Sequence, residues 1–151
     1  MMKYMMTIMA MATLALTGCS KKSGIAIEDV YAYATPQMGA VAVFMTVENN
    51  TDTDDRLTGF VPESARRAEL HTMSMNGDIM QMRRVEGYDI AAGETLSLDE
   101  AGNHIMIFDR TSDWNAGDTF KAVATFEKAG EVPVTIMVRD RKEATNSHQN
   151  H

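Results

Sequence analysis

The residues best suited to chemistry lie in one window of the chain, between residues 69 and 109. Two of the four histidines, His71 and His104, fall in it, together with five methionines: Met73, Met75, Met80, Met82 and Met106. Imidazole and thioether groups are the borderline and soft ligands that suit a monovalent ion such as Cu(I). Hard cations need oxygen ligands, and Glu69 is the carboxylate beside a histidine here. The window therefore predicts a Cu(I) site.

The methionines are concentrated rather than scattered. Six of the fourteen lie within the first eleven residues, and five of the remaining eight lie between residues 73 and 106. Methionine that only fills gaps in a core would be spread more evenly. A single histidine and methionine close together in the sequence, taken alone, are more typical of ordinary packing in the core or on the surface than of a metal site. The cluster as a whole favours metal binding.

The N-terminus predicts export and lipidation. Residues 1–18 carry an early charge at Lys3, an apolar run too short to span a bilayer, and then small residues, which is the pattern of a secretory signal. Residues 16–19 (LTGC) resemble the lipobox of bacterial lipoproteins, in which the cysteine is acylated. We therefore expect lipidation at Cys19; the alternative is a plain signal peptide with Cys19 as a free thiol. Ser20 favours sorting to the outer membrane, with the protein on the periplasmic side.

The chain is long enough for one domain with a hydrophobic core and too short for two ordinary ones. The predicted organisation has four parts: a signal peptide at 1–18, a lipidated cysteine and tether at 19–24, a β-sandwich domain at 25–138, and a polar flexible tail at 139–151. Membrane attachment is expected through the lipid alone.

Composition excludes several classes of function. Cys19 is the only cysteine, so the domain has neither a disulfide nor the thiolate of a His2Cys blue-copper site. The net charge of −7 becomes −8 when Lys3 leaves with the signal. Binding to nucleic acid depends on Lys and Arg neutralising phosphates, so this acidic balance argues against it.

Alternating apolar and polar residues predict many short strands separated by glycine-containing turns, which is typical of an all-β Greek-key sandwich. The predicted strands are 25–34, 40–48, 56–61, 67–73, 78–85, 94–98, 103–108, 119–126 and 132–138. A single helical turn is predicted around residues 63–67. Asn76-Gly77 is the strongest hairpin signal and joins 69–75 to 78–85 as antiparallel neighbours.

Residues two apart on a strand point to the same face of a sheet. His104 therefore projects with Met106, His71 with Met73 and Met75, and Met80 with Met82. A hairpin and a distant strand can bring four of these side chains to one point: His71, Met82, His104 and Met106. Two nitrogen and two sulfur ligands, all neutral, suit Cu(I) better than Zn²⁺, Ca²⁺ or Mg²⁺.

The spacing of these four residues resembles the H-x10-M-x21-H-x-M signature of the PCuAC family of periplasmic copper chaperones. Other blocks also resemble that family: residues 49–50, 54–57, 69–71, 80–83 and 103–106. The resemblance implies a cupredoxin-like Greek-key β-sandwich that is not an enzyme. It implies carriage of Cu(I) to the CuA site in subunit II of cytochrome c oxidase, directly or with a Sco-type thiol protein. Met73 and Met75 are expected to line the approach as transient ligands.

Three other functions remain open from the sequence: a copper or zinc enzyme using His71 and His104, a copper storage or detoxification lipoprotein, and a structural lipoprotein whose methionines are incidental. An enzyme would need a carboxylate base or a metal-bound water, which a methionine-filled shell does not supply. His148 and His151 suggest a weak Cu(II) site in the tail, against the alternative of an ordinary solvated tail. The adjacent carboxylates of Asp54 and Asp55 are read as turn residues, and Trp114 as a loop anchor.

Overall fold

The computed structural model describes residues 23–34 and 39–141. The predicted signal peptide, Cys19 and the tail histidines His148 and His151 lie outside the described residues. Among the residues that are described, no helix has the length and apolar character needed to span a bilayer.

The described chain is built almost entirely of strands, which confirms the predicted all-β fold class. The ten strands are β1 Ile25–Tyr33, β2 Val41–Asn49, β3 Asp55–Pro62, β4 Ala65–Asn76, β5 Ile79–Val85, β6 Tyr88–Ile90, β7 Thr95–Leu98, β8 Asn103–Arg110, β9 Thr119–Phe126 and β10 Gly130–Arg139. Nine of them match predicted segments; β6, with three residues, is too short for its alternation to be read from the sequence.

The helical turn predicted around residues 63–67 is wrong. A tight turn at Glu63 and Ser64 leads directly into β4, which begins at Ala65. Ala65 and Arg67 pair with Arg110 and Phe108 of β8. This long-range strand pairing overrides the local preference of the segment, as tertiary context often does.

The strands form one hydrogen-bonded path in the order β5-β4-β8-β2-β1-β10-β9-β3-β6, with β7 paired to β2. The β1–β10 pair is parallel and the other pairs are antiparallel. The two halves of β2 have different partners on the same edge: Val41 to Val43 pair with β8, and Met45 to Glu48 pair with β7. β3 and β4, which are not neighbours in this order, also lie close to each other.

The core lies between the facing halves of this path. Alternate residues of β2 point inward, and Val43, Met45 and Val47 are buried there. Trp114 is fully buried and stacks on Phe120, with 4.7 Å between ring centroids. Its position agrees with the loop anchor read from the sequence.

The predicted hairpin β4–β5 is present, but its two turn residues are Gly77 and Asp78 rather than the predicted Asn76 and Gly77. Asn76 pairs with Ile79 across the turn, and Gly77 has a φ of 65°, the left-handed conformation that glycine adopts without steric cost. The pairing of β4 with β8 ends at Thr72, opposite Asn103. Beyond Thr72, β4 pairs with β5 alone, and the hairpin extends past the rest of the sheet as a two-stranded ribbon.

Gly87 connects β5 to β6 at a point where two backbones lie close together. A Cβ atom at this position would stand 2.6 Å from Nε of Arg56 and 2.8 Å from the carbonyl oxygen of Leu57. The arginine side chain could move away, but the carbonyl belongs to β3 and cannot move cheaply. Glycine at this position therefore allows β6, which carries Tyr88, to pair with β3.

We expect Gly87→Ala to lower the free energy of unfolding by about 1–3 kcal/mol, because the added methyl group must push β6 away from β3. Urea denaturation measures this. Gly59→Ala is the matched control, since its Cβ would meet Thr125 at an ordinary 3.5 Å. Equal stabilities for the two variants would show that the close approach at Gly87 does not constrain the fold.

Candidate metal centre

The four predicted ligands lie on one face of three neighbouring strands, β5, β4 and β8. His71 is directly opposite His104 in the β4–β8 register, and Met82 is opposite Met73 in the β4–β5 register. Met106 lies two residues beyond His104, on the same side of its strand. The structure thus places on a common face the residues that the sequence predicts to converge.

His71 is held by a carboxylate. Its Nε2 atom lies 3.0 Å from a carboxylate oxygen of Glu69, two residues earlier on β4. Hydrogen bonding to His71 lowers the pKa of the Glu69 carboxyl despite its partial burial, with Arg67 and Arg84 adding to the effect. A carboxylate can only accept, so Nε2 of His71 carries the proton. The remaining nitrogen, Nδ1, is buried and has no hydrogen-bond partner among the described residues.

His104 has the opposite assignment of its ring nitrogens. Its Nδ1 atom lies 3.1 Å from the carbonyl oxygen of Gly102, which can only accept, so Nδ1 carries the proton. The Nε2 atom lies 3.1 Å from Sδ of Met82. A thioether has no hydrogen to donate, so when the His104 ring is neutral two electron-pair donors face each other across this contact. Together with Nδ1 of His71, three donor atoms on this face have no hydrogen of their own to share.

The two imidazoles are close and enclosed. Their ring centroids are 5.9 Å apart, and both side chains are buried. Phe108 flanks His71 at 6.3 Å between centroids, and the guanidinium of Arg67 covers the outer side of Phe108 at 4.2 Å. Arg67 and Phe108 pair with each other and lie at the end of the β4–β8 pairing that is remote from the hairpin turn.

The thioethers are less enclosed than the imidazoles. Met82 lies on the edge strand β5 with 52% of its surface exposed. Met106 is half-buried and borders a cavity of about 220 Å³ that is also lined by Tyr33, Val41, Phe44 and Arg141. The nitrogen donors are therefore fixed in position, whereas Met82 can change rotamer at little cost.

Tyr88 supports both histidines from the core, and the sequence analysis missed it. Its hydroxyl lies 2.6 Å from the carbonyl oxygen of His71 and 2.9 Å from that of His104, and shares its proton between them. Burial raises the pKa of Tyr88 to about 12, although the two carbonyl contacts oppose the shift. Tyr88 therefore links the backbones of β4 and β8 directly beneath the two imidazoles.

The carboxylate pair Asp54-Asp55 lies away from this face and has a structural role. Asp55 accepts hydrogen bonds from the backbone N–H groups of Arg56, Lys128 and Ala129. Burial alone would raise the pKa of Asp55, but these donors outweigh it and hold the pKa below its ordinary value. Asp54 accepts from the backbone N–H of Ala92. Both carboxylates act as loop clamps, in keeping with their reading as turn residues.

In the described part of the chain, no group of three or more His, Cys, Asp or Glu side chains is placed to hold a metal ion. On this face the thioethers of Met82 and Met106 are the side chains that could add sulfur to the two imidazole nitrogens. Such a mixed nitrogen and sulfur set fits a soft monovalent ion and fits Zn²⁺, Ca²⁺ and Mg²⁺ poorly.

Solved structures with a similar fold include PCuAC domains. The chain is similar to the "Copper-bound PCuAC domain from PmoF2", with a TM-score of 0.68 and 23% identity over 78% of this chain and 94% of that one. It is similar to apo-DR1885 from Deinococcus radiodurans, with a TM-score of 0.61 and 22% identity over 95% of this chain and 97% of that one. The Cu(I) form of DR1885 gives a TM-score of 0.63 at 22% identity, over 83% and 84% of the two chains. The fold is thus the cupredoxin-like β fold of PCuAC domains.

The family model described as "Putative lipoprotein LpqE-like" matches residues 25–138, and the chain belongs to this LpqE-like family. The resemblance to PCuAC proteins seen in the sequence is confirmed. A relative from Leifsonia xyli subsp. xyli (strain CTCB07), described as "Putative lipoprotein Lxx21020", is 26% identical over 156 residues, covering 95% of this chain and 93% of its own length.

We expect Tyr88→Phe to lower the free energy of unfolding by about 1–3 kcal/mol, because two buried carbonyl groups lose their common donor. Amide hydrogen exchange in β4 and β8 next to the two histidines should accelerate. Tyr33→Phe is the control, since the Tyr33 hydroxyl interacts with the side chains of Glu100 and Tyr31 instead. Unchanged exchange around His71 and His104 in Tyr88→Phe would contradict the supporting role.

Proposed function

We propose that this protein is a Cu(I) chaperone that holds the ion with His71, Met82, His104 and Met106 and transfers it by ligand exchange. The observation that carries the proposal is the 3.1 Å contact between Nε2 of His104 and Sδ of Met82. Two electron-pair donors in contact lack a partner that accepts from both. A soft cation is such a partner.

The protonation of the two rings supports the same site. The hydrogen bond to Glu69 leaves Nδ1 of His71 as the ligand atom, and the hydrogen bond to Gly102 leaves Nε2 of His104. Second-sphere bonds of this kind fix the ring orientation of metal-binding histidines. The Glu69 carboxylate also places a negative charge next to a ligand of the incoming cation. Arg67, 2.6 Å away, compensates part of that charge.

The difference in exposure between the ligands favours transfer over permanent storage. The imidazoles are buried, whereas Met82 is half exposed on an edge strand. A ligand of an acceptor protein can displace Met82 first while the histidines still hold the ion. Thioethers do not titrate, so their part of the shell is insensitive to pH. Storage would favour a closed site, and catalysis would need a base that this shell does not supply.

Copper carriage is also supported by the relatives whose descriptions name copper, the copper-bound PmoF2 domain and Cu(I)-DR1885. The proposed recipient is the CuA site of cytochrome c oxidase subunit II, reached directly or through a Sco-type thiol protein. Lipoprotein descriptions of the family and of the Leifsonia relative support anchoring through Cys19. We propose that the anchor holds the protein on the periplasmic side, at the outer membrane. We also propose that His148 and His151 in the tail form a weak Cu(II) site.

The proposal is tested by anaerobic competition for Cu(I) against a chromophoric chelator. We expect Met82→Leu and Met106→Leu each to raise the Cu(I) dissociation constant about tenfold or more, because leucine matches the volume and removes the sulfur lone pairs. The matched control is Met137→Leu. Met137 is similarly exposed, at 51%, but lies on β10, away from the histidines.

Equal affinities for Met82→Leu, Met106→Leu and Met137→Leu would overturn the assignment of thioether ligands.

Transfer is tested separately, by mixing the copper-loaded protein with an oxidase subunit II domain lacking copper. Copper is expected in the subunit II domain, once it is separated from the loaded protein, if the bound ion is available for delivery. A protein that binds Cu(I) tightly and releases none, either to this acceptor or to a Sco-type thiol protein, would be a storage protein.

A further inference from the structure

The tip of the β4–β5 hairpin carries a second group of thioethers that the proposed site does not use. Met75 lies directly opposite Met80, and Met73 lies directly opposite Met82. Residues opposite each other in an antiparallel pair, and residues two apart on one strand, share a face. All four side chains therefore lie on the same face as His71 and His104, in two successive cross-strand pairs.

These methionines are poorly placed for packing. Met75 is 64% exposed and Met80 is 54% exposed, because the ribbon extends past the end of β8, whereas Met73, nearer to β8, is half-buried. Exposure of large apolar side chains is unfavourable on a small acidic protein. Ile79 is exposed as well, but it points to the opposite face, where it has no thioether neighbours. The sulfur atoms are thus concentrated on the face that leads to the histidines.

Opposed pairs on a sheet have Cβ atoms about 4.5–5.5 Å apart. Methionine has three rotatable side-chain bonds, so side chains at this spacing can converge on one ion. Three thioethers with no carboxylate or imidazole form a soft ligand set that selects Cu(I) over Zn²⁺ and Mg²⁺. Asp78 is the charged residue closest to the tip along the sequence, followed by Arg83 and then by Arg84 and Glu69 at equal separation.

We propose that Met73, Met75 and Met80 form a second site for Cu(I) at the hairpin tip. The site is distinct from the one at the histidines, and Met82 lies between the two. An ion bound between Met75 and Met80 at the tip has the pair Met73 and Met82 as the next thioethers toward His104. The tip site lacks imidazole ligands and must order exposed side chains, so it binds more weakly than the site at the histidines.

The experiment is a titration with Ag(I), a redox-stable soft probe for Cu(I) sites, followed by NMR of ¹³C-methyl methionine. The first equivalent is expected to shift the methyl signals of Met82 and Met106. The second equivalent is expected to shift those of Met73, Met75 and Met80, with an affinity about tenfold or more below the first. Met137 serves as the internal control, since it is exposed but isolated on β10.

Two variants separate the tip site from the proposed function. In His71→Ala/His104→Ala, the tip signals are still expected to shift, which holds even if the chaperone proposal is wrong. In Met75→Leu/Met80→Leu, the second equivalent is expected to be lost while the first remains. Tip signals that stay unchanged through two equivalents, or that move only as much as Met137, overturn the second site and leave the proposed function standing. Shifts of the tip signals without any shift of Met82 or Met106 support the second site and overturn the first.

Discussion

The antiparallel pairing of His71 with His104 is the constraint on which the rest of the site depends. The pairing places two imidazoles from strands distant in sequence on one face, with ring centroids 5.9 Å apart. A shift of one residue in this register would turn one ring to the opposite face. Tyr88 holds both backbones at this point from the core side, and Gly87 allows its strand to approach. The nitrogen half of the site is thereby set by the backbone.

The sulfur half has the opposite character. Glu69 and the carbonyl of Gly102 fix which nitrogen of each ring is available, whereas Met82 lies on the sheet edge with few constraints. Fixed and mobile ligands on a common face suit an ion that must be both held and released. The thioethers continue outward along the hairpin to Met75 and Met80, with exposure increasing from the histidines to the tip. The buried imidazole nitrogens are thus ordered, whereas the exposed thioethers of the hairpin can adapt their positions.

The sequence was sufficient for those features that follow from local pattern. Strand alternation and the turn signal at residues 76–77 predicted the hairpin and the face that Met82 shares with His71, because a period of two and a tight turn determine both. The register that brings His104 and Met106 to this face comes from the long-range pairing of β4 with β8. Tyr88 could not be found in this way. It lies on a three-residue strand, and its hydroxyl reaches the histidines only through the folded core.

The prediction of a helical turn around residues 63–67 was wrong because long-range pairing with β8 determines that segment. Ala65 pairs with Arg110, which is more than 40 residues away in the sequence. The hydrogen bond between Glu69 and His71 also depends on rotamers that only packing selects.

The central claim is that His71, Met82, His104 and Met106 share one copper ion. Copper-edge X-ray absorption on the protein, loaded anaerobically with one equivalent of Cu(I), tests it most directly because it counts the nitrogen and sulfur atoms around the metal. A mixed shell close to two nitrogens and two sulfurs is expected, and Met82→Leu is expected to remove one sulfur from it. A shell of nitrogen and oxygen alone, or copper that does not remain bound, would contradict it.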